Sequence, residues 1–309
     1  MLHDLIALAH KASLPAVSLS GMFLATGSNK NYLSKSDDGL IWETLNINPT
    51  GNGQSYNNAI TFGNGLYVLV SGGQYVATSP DLVTWTQRSI NFGNENINHV
   101  IFANDLFVAV GNSGRVSTSP DGITWTSRNA GFGGYPILRV AYLNGLFILL
   151  AHLNRSSTSV DGITWTPGLI GGGGDNIYLS NATYGNDVFV ACGSSGRIYT
   201  SLNGVNWTER TNGFTAGIGS TDLYDVAFAN GLFIVVGNGG MILTSLDGIT
   251  WTRITGVTTK LLIRIAYANG LFIILTNDGD IFTSPDGVTW TNNAYHAGMN
   301  FSNIFIKSN

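Results

Sequence analysis

The sequence is short of cysteine, charge and long apolar runs. Its 309 residues include one cysteine, so no disulfide framework can hold the chain together, and Cys192 is predicted to be a small buried hydrophobe. Only 10% of the residues are charged and the formal net charge is −4, which argues against electrostatic binding to nucleic acid or to an anionic membrane. No apolar run reaches membrane-spanning length, so membrane insertion is not expected either.

The N-terminal segment lacks the basic leader and the long apolar run of a secretion signal. Its apolar residues instead approach the spacing of an amphipathic helix, with Leu2, Leu5, Ile6, Leu8 and Ala9. Residues 1–13 are therefore predicted to be a separate segment, either a docking clip for a partner protein or a cap on the domain formed by residues 14–309.

All seven tryptophans close copies of one motif, close to Ser-x-Asp-Gly-x-Thr-Trp. They are Trp42, Trp85, Trp125, Trp165, Trp207, Trp251 and Trp290. Successive tryptophans are 39 to 44 residues apart, which indicates seven copies of one supersecondary unit.

Each copy is predicted to contain four strands. The first two strands, a and b, are apolar runs joined by Asn-Gly, as at Asn144-Gly145, or by Asn-Asp. These residues accept the positive φ values that a two-residue type I′ hairpin requires. Strand c follows a Gly-rich turn, and strand d is predicted as the Ile-Thr-Trp-Thr segment after the Asp-Gly turn. Four strands of about six residues with short connections fill about 42 residues.

The predicted fold is therefore all-β: a seven-bladed propeller of four-stranded antiparallel blades. The last residues, 303–309, resemble strand a, whereas the segment before Gly21 does not. We expect this C-terminal strand to complete the blade that begins near Gly21 and so to close the ring without unprotected edges.

Stability alone explains the repeated residues. The tryptophans are expected to wedge between blades, and the motif carboxylates to bond the backbone of their own turns. These motif residues are Asp38, Asp81, Asp121, Asp161, Asp247 and Asp286, with Asn203 in the remaining copy. The carboxylates lie one blade apart and cannot converge on a metal ion, and the five histidines lack metal-ligand spacing. Neither a metal nor a cofactor is expected.

The motif resembles the Asp-box, Ser-x-Asp-x-Gly-x-x-Trp, of sialidase-like (BNR-type) β-propellers, shortened by one residue. The whole unit is also similar to repeats in bacterial and bacteriophage proteins, including tail and fibre components. This resemblance implies the propeller fold. It leaves function open, because such propellers serve as hydrolases, binding modules and assembly factors.

The copies differ mainly in one set of connections, which alternating strand direction places on a single face. Their aromatic residues, interleaved with Asn, Thr and Gly, are Tyr56, Phe92, Phe132, Tyr135, Tyr178, Tyr224 and Tyr295. Aromatic rings beside amides and hydroxyls suit a glycan or protein ligand. The alternative is that some of these rings only fix the loops to the blades.

A second set of polar residues occurs where each strand a begins. It comprises Asn58, His99, Arg139, Asn181, Asp225, Arg264 and Asn303. If strand a is innermost, these side chains line the mouth of the channel and contact either a ligand or ordered water. Asp225, flanked by Arg139 and Arg264, is expected to be an ion-paired carboxylate with a depressed pKa.

Catalysis is not expected. A sialidase needs three arginines, a tyrosine with a partnering glutamate and an acidic aspartate around the channel. This chain has three glutamates, and Glu95 alone falls on the variable face, since Glu43 and Glu209 follow the motif tryptophans. A sialidase-like glycoside hydrolase acting on host polysaccharide is the alternative hypothesis.

The sequence and its resemblance together predict a non-catalytic recognition or assembly module. The expected setting is a bacteriophage virion, in the tail, fibre or shell, with the protein made in the host bacterial cytoplasm. The expected partners are other virion proteins, a host cell-surface glycan, or both.

Overall fold

The computed structural model describes residues 21–27, 32–47, 56–73, 75–171, 177–210, 221–295 and 300–308. Over these ranges the chain forms seven four-stranded antiparallel sheets, and its helical segments are 3-10 turns of three residues. The prediction of an all-β, seven-bladed propeller is confirmed. Residues 1–13 lie outside the described residues, so the docking clip and its boundary stay predictions.

Each sheet is one blade. From the channel outwards, blade 1 holds β28 (Phe301–Ser308), β1 (Gly21–Gly27), β2 (Tyr32–Ser36) and β3 (Glu43–Asn46); blade 2 holds β4 (Asn57–Gly63), β5 (Leu66–Ser71), β6 (Tyr75–Ser79) and β7 (Thr86–Arg88); blade 3 holds β8 (Ile97–Ala103), β9 (Leu106–Gly111), β10 (Val116–Ser119) and β11 (Thr126–Arg128); and blade 4 holds β12 (Ile137–Leu143), β13 (Leu146–Ala151), β14 (Arg155–Ser159) and β15 (Thr166–Leu169). Blade 5 holds β16 (Leu179–Gly185), β17 (Val188–Gly193), β18 (Ile198–Ser201) and β19 (Thr208–Arg210); blade 6 holds β20 (Leu223–Ala229), β21 (Leu232–Gly237), β22 (Ile242–Ser245) and β23 (Thr252–Ile254); and blade 7 holds β24 (Leu262–Ala268), β25 (Leu271–Thr276), β26 (Asp280–Ser284) and β27 (Thr291–Tyr295).

The innermost strands form a closed ring. Each contacts the innermost strand of the next blade, and β28 contacts both β24 and β4. Strand β28 also pairs antiparallel with β1, from Gly21 opposite Ser308 to Gly27 opposite Phe301. The predicted closure by the C-terminal strand is therefore confirmed.

The inner hairpins turn as the Asn-Gly and Asn-Asp pairs predict. In blade 4, Asn144 has φ of 48° and Gly145 has φ of 78°, the positive pair that a type I′ turn requires. Asn104 and Asp105 of blade 3 adopt the same conformation without glycine, at 50° and 57°. Asn and Asp tolerate this region better than other non-glycine residues, which explains the substitution.

The motif carboxylate caps its own turn in every blade. In blade 4, Asp161 Oδ1 accepts the N–H groups of Ile163 at 2.8 Å and Thr164 at 2.7 Å, and the Ser159 hydroxyl donates to the same oxygen at 2.8 Å. The same three bonds recur in the other six blades, with the Asn203 amide oxygen as the acceptor in blade 5. The role predicted for these side chains is confirmed.

One boundary prediction is wrong. The Ile-Thr-Trp segment does not open strand d, because the capped turn extends to the residue before the tryptophan. In blade 4 the outermost strand begins only at Thr166, directly after Trp165. The outermost strands are consequently short, three to five residues.

The apolar core lies between blades rather than within them. Each of the seven hydrophobic clusters combines side chains from two consecutive blades and includes one motif tryptophan, buried or partly buried. Six indoles also donate Nε1–H to a carbonyl of their own turn, as Trp125 does to Gly122 at 3.2 Å. Burial of a tryptophan contributes at most roughly 4–6 kcal/mol. The packing of each tryptophan between two blades confirms the prediction that these residues join the blades.

Removal of residues 303–309 is expected to destabilise the whole ring, because blade 1 then loses its innermost strand and the contacts to blades 2 and 7. A loss of several kcal/mol corresponds to a fall in Tm of roughly 10 °C or more in a chain of this size. Scanning calorimetry measures the change, with deletion of Asn309 alone as the control. Equal Tm values for the two deletions would contradict the role of β28 in closure.

Asp161→Ala is expected to lower Tm at pH 7, because two turn amides lose their acceptor. Asp161→Asn should stay close to wild type, since Asn203 makes the same bonds in blade 5. These bonds lower the pKa of Asp161 from 3.8 to about 2, so its stabilisation is complete above pH 3.8 and is lost as the pH falls through about 2. Tm measured from pH 7 to pH 2 should therefore fall further in the wild type than in Asp161→Asn, and parallel curves would refute this.

Candidate ligand site at the loop-side end of the channel

The two faces of the propeller are built differently. On the turn face, the hairpin turn of one blade contacts the capped turn of the next, as Asn64 Nδ2 donates to the Pro120 carbonyl at 2.7 Å and Asn186 Nδ2 to the Leu246 carbonyl at 2.9 Å. On the opposite face, here called the loop face, the variable connections lead into the innermost strands. There the Asn112 amide donates to the Asn96 carbonyl at 3.0 Å.

The predicted loop-face aromatics divide into two groups. Tyr56, Tyr135 and Tyr178 are exposed and Tyr224 is partly buried. Phe92 and Phe132 are 0% and 2% exposed and lie in the cores between blades, so a ligand cannot reach them and their assignment to the binding surface is corrected. A phenyl ring has no hydroxyl to keep hydrated, and this difference from tyrosine is the signal that could have separated the two groups. The side chain of Tyr295 lies outside the described residues.

Two exposed tyrosines are held by neighbouring side chains. The Arg155 guanidinium lies 4.3 Å from the centroid of the Tyr135 ring. The Tyr178 ring meets the His152 ring edge-on at 4.3 Å between centroids. Rings fixed in this way lose little entropy when a ligand stacks on them.

A β-bulge lies at the start of the innermost strand of every blade and determines which side chains face the channel. In blade 3, Ile97 pairs with Gly111 and His99 with Val110, so Asn98 is an extra residue. The same shift occurs in the other blades. Two consecutive residues per blade can thereby line the channel, in two tiers. The outer tier comprises Asn58, Asn98, Leu138, Ser180, Tyr224 and Ser302, and the inner tier comprises His99, Arg139, Asn181, Asp225, Arg264 and Asn303.

Six of the seven residues predicted to ring the channel mouth form the inner tier, and Asn58 lies in the outer tier. Asn57 pairs with Ser71 and Ala59 with Val70, so Asn58 is the bulge residue and Ala59 is the equivalent of His99. The sequence pointed to Asn58 because it is the polar residue at that point of blade 2. A bulge is a pairing irregularity that only the structure reveals.

Outer-tier side chains connect consecutive blades. Asn58 Nδ2 donates to the Ile97 carbonyl at 2.7 Å and Asn98 Nδ2 to the Ile137 carbonyl at 2.9 Å. Ser302 Oγ donates to the Asn57 carbonyl at 2.7 Å, across the junction between blades 1 and 2. These bonds fix the rim of the channel.

The two tiers surround two cavities. The outer cavity, of about 380 Å³, is bounded by the outer tier together with Arg139, Tyr178, Ser194, Asp222 and Arg264. The inner cavity, of about 490 Å³, is bounded by the inner-tier residues other than Arg264 and by apolar side chains such as Val100 and Ile265. Arg139 borders both cavities.

Asp225 is buried and held by neutral donors. Its Oδ1 accepts the Asn181 amide and the Val226 N–H, and its Oδ2 accepts the Ile265 N–H at 2.9 Å. Burial raises the pKa of Asp225, and the charge of Arg139 and these hydrogen bonds offset the rise only in part. The expectation of a depressed pKa is therefore wrong, because desolvation of the carboxylate outweighs the arginine.

Burial also controls the neighbouring groups. It lowers the pKa of Arg139, while the charge of Asp225 opposes the shift. It lowers the pKa of His99 well below the usual value, with a further contribution from the charge of Arg139, so His99 is neutral near pH 7. Cys192 is fully buried and burial raises the pKa of its thiol well above the usual range, in agreement with the small hydrophobe predicted.

Two further observations concern the described residues. No three His, Cys, Asp or Glu side chains among them lie close enough together to hold a metal ion. No helix within the same ranges has the length and apolar character needed to cross a membrane.

Seven blades around a polar channel define the class of this protein as a seven-bladed β-propeller. The model of the DUF6242 β-propeller domain family matches residues 15–132 and 183–296, which is more than half of the chain. The chain therefore belongs to the DUF6242 β-propeller family, and the sialidase-like assignment suggested by the Asp-box is not confirmed. No curated protein matches the chain.

Solved structures with the same fold include proteins of different kinds. One described as YCF48 bound to D1 peptide is 17% identical, with a TM-score of 0.65 over 84% of this chain and 86% of that chain. YCF48 from Cyanidioschyzon merolae is 16% identical, with a TM-score of 0.62 over 87% and 96%. A catalytically inactive virginiamycin B lyase from Staphylococcus aureus with quinupristin is 12% identical, with a TM-score of 0.68 over 84% and 94%. At these identities the likeness shows the fold alone.

Asp225→Ala is expected to destabilise the propeller by about 3–5 kcal/mol, because Asn181 and the Ile265 amide lose their acceptor and Arg139 loses a compensating charge. Urea denaturation measures the change in the free energy of unfolding. Asp105→Gly, which removes an exposed carboxylate from a hairpin turn, is the control and should leave the midpoint almost unchanged. An unchanged midpoint for Asp225→Ala would show that this network contributes nothing to stability.

Proposed function

We propose that this propeller is a non-catalytic recognition module that binds a host-surface glycan at the outer cavity, and that it acts in a bacteriophage virion, in the tail, fibre or shell. The observation that carries the proposal is the placement of tyrosine rings on a polar cavity. Tyr178 and Tyr224 border the outer cavity beside Asn98, Ser180 and Ser194. Rings for stacking on a sugar face, next to amides and hydroxyls for its hydroxyl groups, match the chemistry of a saccharide.

The positions of the carboxylates support binding rather than hydrolysis. Most glycoside hydrolases place two carboxylates about 5–9.5 Å apart on either side of the scissile bond, whereas a sialidase pairs a nucleophilic tyrosine with a glutamate. Glu43 and Glu209 lie in outermost strands and pair with Lys35 and Arg197, far from the channel. Both Asp225 oxygens accept hydrogen bonds from neutral donors, which leaves this carboxylate poorly placed as a nucleophile or a base.

The turn face supports a role in an assembly. Every blade has an exposed aliphatic side chain there, directly after the glycine of its capped turn or, in blade 2, after Leu82. These side chains are Leu40, Val83, Ile123, Ile163, Val205, Ile249 and Val288. Such a ring suits contact with another protein, and the likeness of the repeat unit to bacteriophage tail and fibre repeats supports a neighbouring virion protein as that partner.

Tyr178→Ala is expected to weaken glycan binding roughly tenfold, because loss of a central aromatic contact typically costs more than 1 kcal/mol. A glycan array prepared from host-surface polysaccharides measures the signal for the wild type, Tyr178→Ala and Tyr135→Ala. Leu202→Ala, which shortens an exposed side chain on the turn face, is the control and should bind as the wild type does.

Three results would contradict the proposal. Absence of any wild-type signal on the array would exclude the glycan as ligand, and equal signals for all variants would exclude the outer cavity as its site. Release of free sugar from the polysaccharide would make the protein a glycosidase. Immunogold labelling of purified bacteriophage particles with an antibody against this protein tests the virion setting independently. Unlabelled particles would refute that setting.

A further inference from the structure

Arg139 is a buried cation that no carboxylate among the described residues contacts within 4 Å. Its side chain is 5% exposed, it borders both cavities, and its Nη2 has no hydrogen-bond partner among the described residues. A buried guanidinium in this state is costly unless an anion contacts it. The cavity wall therefore holds a positive charge that no carboxylate among the described residues contacts.

Arg264 adds a second unfilled donor to the same cavity. Its Nη1 donates to the Ile263 carbonyl, while its buried Nε has no hydrogen-bond partner in the part of the chain that the structure describes. Neither arginine forms an ion pair within those residues. Two guanidinium groups thus border one cavity, and no carboxylate among the described residues pairs with either.

The acidic residues that border the channel do not serve as ion-pair partners of these two arginines. Asp225 accepts its hydrogen bonds from Asn181 and two backbone amides instead of from Arg139. Asp222 borders the outer cavity, but its Oδ1 accepts the Ser195 N–H at 3.0 Å on the loop side. Among the described residues His99 also interacts with Arg139, and a histidine ring is neutral or positive, so it supplies no negative charge.

We infer that the outer cavity is a carboxylate site formed by Arg139 and Arg264, and that the glycan bound there carries an acidic sugar. This inference rests on the function proposed above. A planar carboxylate matches the paired N–H groups of a guanidinium, and such charge-assisted bonds are about twice as strong as neutral ones. A cavity of about 380 Å³ accommodates one sugar ring, with Tyr178 and Tyr224 at its wall.

The test compares methyl glucuronide with methyl glucoside, which differ at one carboxylate, by isothermal titration calorimetry at fixed ionic strength. The wild type should bind the glucuronide at least roughly tenfold more tightly. Arg264→Gln should abolish that preference and retain the affinity for the glucoside. Arg115→Gln removes an exposed arginine outside the cavity and should behave as the wild type. Asp222→Asn should increase the preference, because it removes a repulsive carboxylate from the cavity wall.

A second measurement separates this inference from the proposed function. Acetate should raise the Tm of the wild type relative to chloride at equal ionic strength, and should not raise that of Arg264→Gln. If neither sugar binds, but acetate raises the Tm of the wild type and not that of Arg264→Gln, the carboxylate site stands and the glycan function fails. If both sugars bind equally and acetate has no effect, the glycan function stands and the carboxylate site is overturned. If Arg115→Gln loses the preference for the glucuronide as fully as Arg264→Gln does, the preference reflects the overall charge of the protein. The carboxylate site is then overturned as well.

Discussion

Burial of apolar surface between neighbouring blades is the interaction on which the rest of the structure depends. A single blade cannot bury either of its faces, so each needs the next, and a row of blades is stable only when the last meets the first. The seven clusters, each with one motif tryptophan, are the direct expression of this requirement. The pairing of β28 with β1 satisfies it at the junction of the chain ends, where no covalent link exists.

Repetition imposed by this packing also restricts where function can lie. Side chains that hold the hairpin and the capped turn recur in all blades, because every blade meets the same neighbours. Side chains on the loop face and in the channel have no repeated partner, so they are free to differ. The bulge at the start of each innermost strand doubles the number of such positions, since Asn98 and His99 both reach the channel. A polar, asymmetric lining therefore forms inside a nearly symmetric scaffold.

Local chemistry explains which predictions succeeded. Asn144-Gly145 has one favourable conformation, the carboxylate of Asp161 has two amides within reach of its own turn, and the spacing of the tryptophans counts the blades. The failures share a different origin. Phe92 is buried by a neighbouring blade, and the pKa of Asp225 depends on how completely other blades exclude water. Each of these depends on residues distant in the chain.

The sequence by itself determined the number of blades, their strand order and the use of the C-terminal strand to close the ring, because these follow from short-range turn chemistry repeated at a fixed interval. The tertiary structure alone decided which side chains meet in the channel. It placed Arg139 of blade 4 and Arg264 of blade 7 on one cavity, where one nitrogen of each has no acceptor among the described residues. The physical reason is that burial and electrostatic environment are properties of the closed ring, where residues more than one hundred positions apart border the same cavity.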